Sequence, residues 1–153
     1  MIPPVLRPLA ELRVTVDPPI EIGRLPEGVR RVIPITGGEV VGERIHGIVL
    51  PGGADWNTIR ADDTMHFWAR YTLRTDDGVT IGVVHEAFHP RVSDALPLLA
   101  AGRDPGDAWR ARGVPRFEAP EGPYGWLSSV VCVSAVRPPI ERGVVRIDVF
   151  EVA

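Results

Sequence analysis

A chain of 153 residues with 44% hydrophobic and 24% charged content is long enough to bury its own core and is expected to form one domain over residues 1–153. The formal net charge of −3 argues against a protein that binds nucleic acid by neutralising phosphates. One cysteine, Cys132, leaves no internal disulfide and no cysteine-rich metal site, and all 17 basic residues are arginine, which excludes lysine Schiff-base chemistry.

The N-terminal stretch MIPPVLRPLAEL carries prolines where a signal peptide would have its apolar region. No apolar run approaches the roughly 20 residues of a membrane helix. The expectation is therefore a cytoplasmic protein with no membrane partner. The 16 glycines and 16 prolines cut the chain into short segments rich in Val, Ile and Thr, which predicts many short antiparallel strands. Strands are expected near 9–16, 20–24, 29–35, 39–50, 64–75, 79–88, 114–118, 126–136 and 143–152. Gly52-Gly53 reads as a turn presenting Asp55 and Trp56, and Asp77-Gly78 as a hairpin turn, since both of its residues tolerate positive φ.

In RIHGIVL, Arg44, His46, Ile48 and Leu50 oppose Ile45, Gly47 and Val49. In HFWARYTLR, Phe67, Ala69, Tyr71 and Leu73 form an apolar core face. The opposing set His66, Trp68, Arg70, Thr72 and Arg74 is either the solvent face or the lining of a polar cavity. Residues 91–112 carry Ala, Leu and Arg at loose helical spacing, with Ser93 or Asp94 as N-cap, and are kept short by Pro97 and the glycines at 102 and 106. This helical excursion is either a lid or a plug over one end of the sheet. Ten or so strands suit a closed barrel or a two-sheet sandwich. The barrel is favoured, because the strands keep both faces partly apolar.

His85-Glu86-Ala87-Phe88-His89 matches the H-E-x-x-H signature of zinc proteases. That chemistry needs a helix, and here the motif follows the β-branched run GVTIGVV and is stopped by Pro90. On a strand, residues four apart lie about 13 Å from each other, too far to share an ion. No metal and no cofactor are expected; the strand instead delivers His85 or Glu86 to the barrel mouth.

Asp55 beside Trp56 is the leading acid–base candidate, because a carboxylate next to an indole can have a raised pKa. The alternative is an Asx turn that merely holds the loop. Glu86 is the second candidate. Arg116 and Glu118, in VPRFEAP, are either a structural pair or part of the site. The aromatics of Pro123-Tyr124-Gly125-Trp126-Leu127 either close the barrel or stack on a ligand. Cys132, inside VVCVSAV, reads as a small buried hydrophobe. There is no nucleophile elbow, phosphate loop or dinucleotide fingerprint.

The stretches ITGGEVVGERIHGIVLPGGADW, ARYTLRTDDG, PRFE and YGWL, in this order, resemble the bacterial domain-of-unknown-function family 3237 over roughly residues 9–152. The resemblance implies a single antiparallel calycin-like β-barrel, often a homo-oligomer, and no settled activity. The chain departs from the family pattern at Trp68 and over HEAFHP with the 91–112 excursion.

Two functions follow as expectations. One is a small cofactor-free enzyme, a cyclase, isomerase or lyase acting on an apolar or aromatic small molecule. Asp55 and Glu86 would be its acid and base, Arg70 or Arg116 would steady an enolate or carboxylate, and Trp56, Trp68, His85, Glu118 and Trp126 would complete the pocket. The other is a non-catalytic carrier built on the same barrel. The cavity is expected to open where the 51–57 loop, the start of 91–112 and the 118–126 connection meet. A homodimer or higher oligomer is expected through the outer faces of 126–136 and 143–152.

Overall fold

Ten strands and one short helix make up the regular structure of residues 1–153, all of which are described by a computed structural model. The strands are β1 (Leu6–Val16), β2 (Ile20–Leu25), β3 (Gly28–Val41), β4 (His46–Val49), β5 (Ala54–Ile59), β6 (Met65–Thr75), β7 (Thr80–His89), β8 (Arg112–Glu118), β9 (Cys132–Val136) and β10 (Val144–Val152). The helix is α1 (Leu96–Ala100). No helix is long and apolar enough to cross a membrane.

The sheet closes because β1 is bonded on both edges, to β10 on one side and to β3 on the other. The long strand β3 explains how ten strands make eight staves. Its C-terminal half pairs with β1 and β4, and its N-terminal half pairs with β2 and β5. Thus β1–β2 and β4–β5 are each one stave broken in the middle. The second break falls at Gly52 and Gly53, both at positive φ, where a Cβ on Gly53 would run into the Arg70 carbonyl. The result is a closed, eight-staved antiparallel barrel, mainly β, with a short helical excursion between β7 and β8.

Strict alternation sets inside from outside. On β7, Ile81, Val83, His85, Ala87 and His89 are buried, and Glu86 and Phe88 between them are not. On β6, Tyr71 and Leu73 are buried, with Trp68, Arg70 and Arg74 outside them. The polar set on β6 is therefore the solvent face.

One end of the barrel is closed. Residues 125–129 form a 3₁₀ turn that seats Leu127 in the core, and the Arg44 guanidinium lies over the Trp126 ring, 3.6 Å from its centre. Tyr124 donates to Asp77 Oδ1 at 2.8 Å, tying this plug to the β6–β7 hairpin. The other end carries the excursion. The Asp63 carboxylate accepts from the Ser93 backbone N–H at 3.1 Å and from the Ser93 hydroxyl at 2.5 Å, so Ser93 is itself held rather than acting as a cap. Trp109 donates to the Val136 carbonyl at 2.7 Å, and Leu96, Leu99 and Trp109 overhang a cleft at this end.

Three segments differ from the sequence expectation. The 39–50 strand is the end of β3 and the whole of β4, separated by a bend at 42–45. Residues 54–57, expected within the 51–57 loop, instead belong to strand β5 (Ala54–Ile59), because their backbone pairs with β3 and β6. The 126–136 strand begins only at Cys132, because the glycines at 122 and 125 open a turn before it. The outward residues of β9 and β10 are half-buried; large exposed apolar side chains include Val131 just before β9 and a group at Trp56, Trp68, Phe88 and Val114 on β5 to β8.

Candidate functional site

The barrel interior opens through a cleft of about 510 Å³ at the excursion end. Below it lies a smaller, almost wholly apolar chamber of about 80 Å³. Val16, Ile33, Phe67, Val136 and Val145 line both, so the chamber lies against the cleft and shares its walls.

A single cross-strand row runs round the chamber wall. Ile33 of β3 faces Asp55 of β5, Asp55 faces Ala69 of β6, Ala69 faces His85 of β7, and His85 faces Pro115 of β8. Ala69 is the smallest member of the row that still carries a side chain. It leaves an open slot between a carboxylate and an imidazole whose strands are two spacings apart, about 10 Å. Two residues below Ala69 on the same face is Tyr71.

Asp55 is held by its backbone surroundings. The β5–β6 ladder is interrupted between Asp55 and Thr58, and the freed N–H of Trp68 donates to Asp55 Oδ1 at 2.8 Å. Asn57, fully buried, donates to Asp55 Oδ2 at 3.2 Å and accepts from Arg31 Nε at 3.2 Å. Burial pushes the Asp55 carboxyl up to about 6, against the Trp68 N–H, Asn57 and the charges of Arg31 and His66, which pull it down.

His85 is buried and pushed down to about 4 by that burial, so its ring is neutral at physiological pH. Its Nε2 lies 2.7 Å from Ser134 Oγ on β9, which requires the ring to cross β8. Gly113 makes the crossing possible, since a Cβ there would come within 2.8 Å of His85 Nε2 and 2.6 Å of the Glu86 carbonyl oxygen. Tyr71 reaches into the same chamber with its hydroxyl buried and unbonded, and burial raises its ionisation further above the ordinary phenol value. The chamber thus holds an ionisable carboxylate, a neutral imidazole and an unpartnered phenol on otherwise apolar walls.

Of the residues singled out in the sequence, Asp55 and His85 face this cavity. Glu86 does not. One residue from His85, it points outward and bonds His66 Nε2 at 2.8 Å. Trp56, Trp68, Arg70, Arg116 and Glu118 also lie on the outer face, by the same alternation. Arg70 and Glu118 approach each other there at 3.4 Å. Trp126 belongs to the plug at the closed end. The 118–126 connection is at that end too, so the mouth is framed instead by residues 16–19, the 137–143 loop and the excursion. Arg31, Asn57, Tyr71 and Ser134 were not singled out. Tyr71 stood on the predicted core face of β6, and its hydroxyl was the available signal. His85 and His89 both face inward on a strand, and no cluster of three or more metal-binding side chains exists in the chain.

The family model described as "Protein of unknown function (DUF3237)" matches residues 4–152. A UPF0311 protein of Rhodopseudomonas palustris is 39% identical over 134 residues, covering 85% of this chain and 84% of that one. Another, from Clostridium acetobutylicum, is 34% identical over 132 residues, covering 83% of each. Among solved structures, a conserved R. palustris protein of unknown function superposes with a TM-score of 0.87 at 32% identity over 100% of both chains. A β-barrel-like protein of Acinetobacter baumannii gives 0.83 at 30%, over 100% of this chain and 98% of that one. A protein described as an enzyme from Penicillium herquei gives 0.73 at 22% identity, over 100% of this chain and 97% of that one, a likeness of fold.

Proposed function

The chain belongs to the DUF3237 family of proteins of unknown function, and from its cavity we propose that it is a small enzyme working by acid–base chemistry on an apolar small molecule. The observation that carries this reading is Asp55: a carboxyl that titrates at about 6, facing a neutral His85 across the slot left by Ala69. A base whose pKa lies near the working pH combines a useful ionised fraction with useful proton affinity. In the proposed step, ionised Asp55 takes a proton from a substrate carbon beside a carbonyl. The electron pair moves onto the carbonyl oxygen, where the Tyr71 hydroxyl donates to the developing charge. The proton then returns to a different carbon, or the enolate adds to a neighbouring C=C or C=O carbon, whose π bond breaks toward its far atom, and that atom takes the proton back from Asp55; the first is isomerase and the second cyclase chemistry. A step of this kind needs only a base, a donor and a shaped apolar chamber. The description of the P. herquei barrel as an enzyme is in keeping with it.

The test is proton exchange. Aryl ketones and enones that raise the melting temperature are incubated with the protein in D₂O and followed by NMR. Exchange beside the carbonyl should exceed the buffer rate, rise through about pH 6 and be lost in Asp55→Asn. Compounds that bind but never exchange would favour a carrier.

A further inference from the structure

The charges around the mouth are unevenly matched. Arg137 is paired with Asp148 at 2.6 Å, and Glu141 is paired with Arg13 at 2.6 Å, so two of the rim groups are already satisfied. Arg31 is in no ion pair. Glu21 lies directly across the strand from it in register, yet the two do not meet. The Arg31 side chain is nonetheless fixed: its Nε donates to Asn57 Oδ1 at 3.2 Å, and Asn57 is wholly buried. The guanidinium therefore stands oriented in the cavity wall with its two terminal nitrogens free. Of the remaining rim charges, Arg142 and Asp17 are likewise unpaired and offset each other.

Phe67 stands level with Arg31 on the far side of Asn57, and Ile33 lies one step beneath it beside Asp55, so the wall there is apolar apart from that carboxylate. The Arg31–Asn57 row lies one two-residue step above the Asp55 row, and Tyr71 lies one step below it. At about 3.3 Å per residue, the passage from Arg31 to Tyr71 is about 13 Å long. A planar guanidinium with a free fork is matched by a carboxylate, which it grips through two parallel hydrogen bonds.

We propose that the ligand of this cavity is an organic carboxylate, gripped at the mouth by Arg31, with an apolar body that passes Asp55 and ends near Tyr71. The proposal rests on the acid–base reading of the same cavity, but its head-group contact is tested by binding alone. Calorimetry with 5-phenylpentanoate and its neutral amide, neither of which carries a ketone and whose α-hydrogens are too weakly acidic to exchange, separates the two readings. The acid should bind at least tenfold more tightly than the amide. Arg31→Gln should close that gap while leaving the amide's affinity unchanged. Arg31→Lys, which keeps the charge but not the fork, should retain part of it. Arg142→Gln should leave most of the gap in place. Equal affinities, a gap that survives Arg31→Gln, or no binding of either compound at millimolar concentration overturns the proposal. An Arg31-dependent preference with no proton exchange on 5-oxo-5-phenylpentanoate would sink the acid–base reading and keep this one. Exchange on neutral ketones with no preference for acids would do the reverse.

Discussion

Replacing Asp55 by Asn should make the folded protein more stable at neutral and alkaline pH. The carboxyl rises from 3.8 to about 6 on folding. Each tenfold change in proton affinity is about 1.4 kcal/mol, so the charged form costs the fold about 3 kcal/mol once the pH exceeds both values. The sign follows from proton counting: between 3.8 and about 6 the folded state binds more protons than the unfolded chain, so stability falls as pH rises through that window. Asn removes the charge and keeps an oxygen for the Trp68 N–H, but its amide would face the Asn57 amide that donates to Asp55 Oδ2. One lost hydrogen bond is worth about 1 kcal/mol. The net gain is about 2 kcal/mol at pH 8, a rise in melting temperature of about 4–8 °C for a domain of this size. By about pH 4 the gain should have vanished. Thermal unfolding of both proteins from pH 4 to pH 8, followed by circular dichroism, measures the difference directly. An offset that is the same at both ends of the range would show that the Asp55 carboxyl is not raised by the fold, and the choice of base would fall with it.

Tyr71→Phe should leave the melting temperature unchanged or slightly higher, because the lost hydroxyl has no partner, while proton exchange falls by about a hundredfold or more; a fully active variant removes Tyr71 from the chemistry. Gly113→Ala should cost about 1–3 kcal/mol in denaturant unfolding, since the new methyl meets the fixed carbonyl of Glu86 at 2.6 Å and crowds His85; wild-type stability would mean that the imidazole does not cross β8 as described. Untagged protein should contain no stoichiometric zinc, because His85 and His89 lie about 13 Å apart along β7 and Ser134 occupies His85 Nε2; zinc that disappears in His89→Ala would contradict this. Light scattering should give about twice the 16.7 kDa of one chain, through the outer aromatic patch of Trp56, Trp68 and Phe88, and Trp68→Arg should halve it; a monomer at high concentration counts against that patch as an interface.

The barrel was legible because period-two alternation marks a half-buried strand wherever the strand is long. HFWARYTLR declared its inner face residue by residue, and Asp77-Gly78 declared its hairpin. What stayed hidden depended on partners far along the chain. ADWNTI is short and follows two glycines, so nothing local distinguishes a loop from a strand; only pairing with β3 and β6 makes it one. Glu86 was chosen for its chemistry, but on a strand the neighbour of an inward His85 must point outward, a constraint the sequence already contained. Arg31 sits next to Arg30 in VRRV, and which of the two faces inward depends on the register with β5. The partnership of His85 with Ser134 runs through the absence of a side chain at Gly113, which no motif encodes.

Closure through β1 has a consequence for how the protein is made. β1 can pair with β3 early, but its other edge waits for β10, and the wall between β1 and β9 is open until then. A ribosome therefore releases nearly the whole sequence before Leu12 and Val14 are enclosed. During that interval a row of unbonded strand edge and the apolar lining are exposed together, the combination that recruits chaperones and favours misassociation. The chamber around Asp55 and His85 takes shape only once β10 has been made.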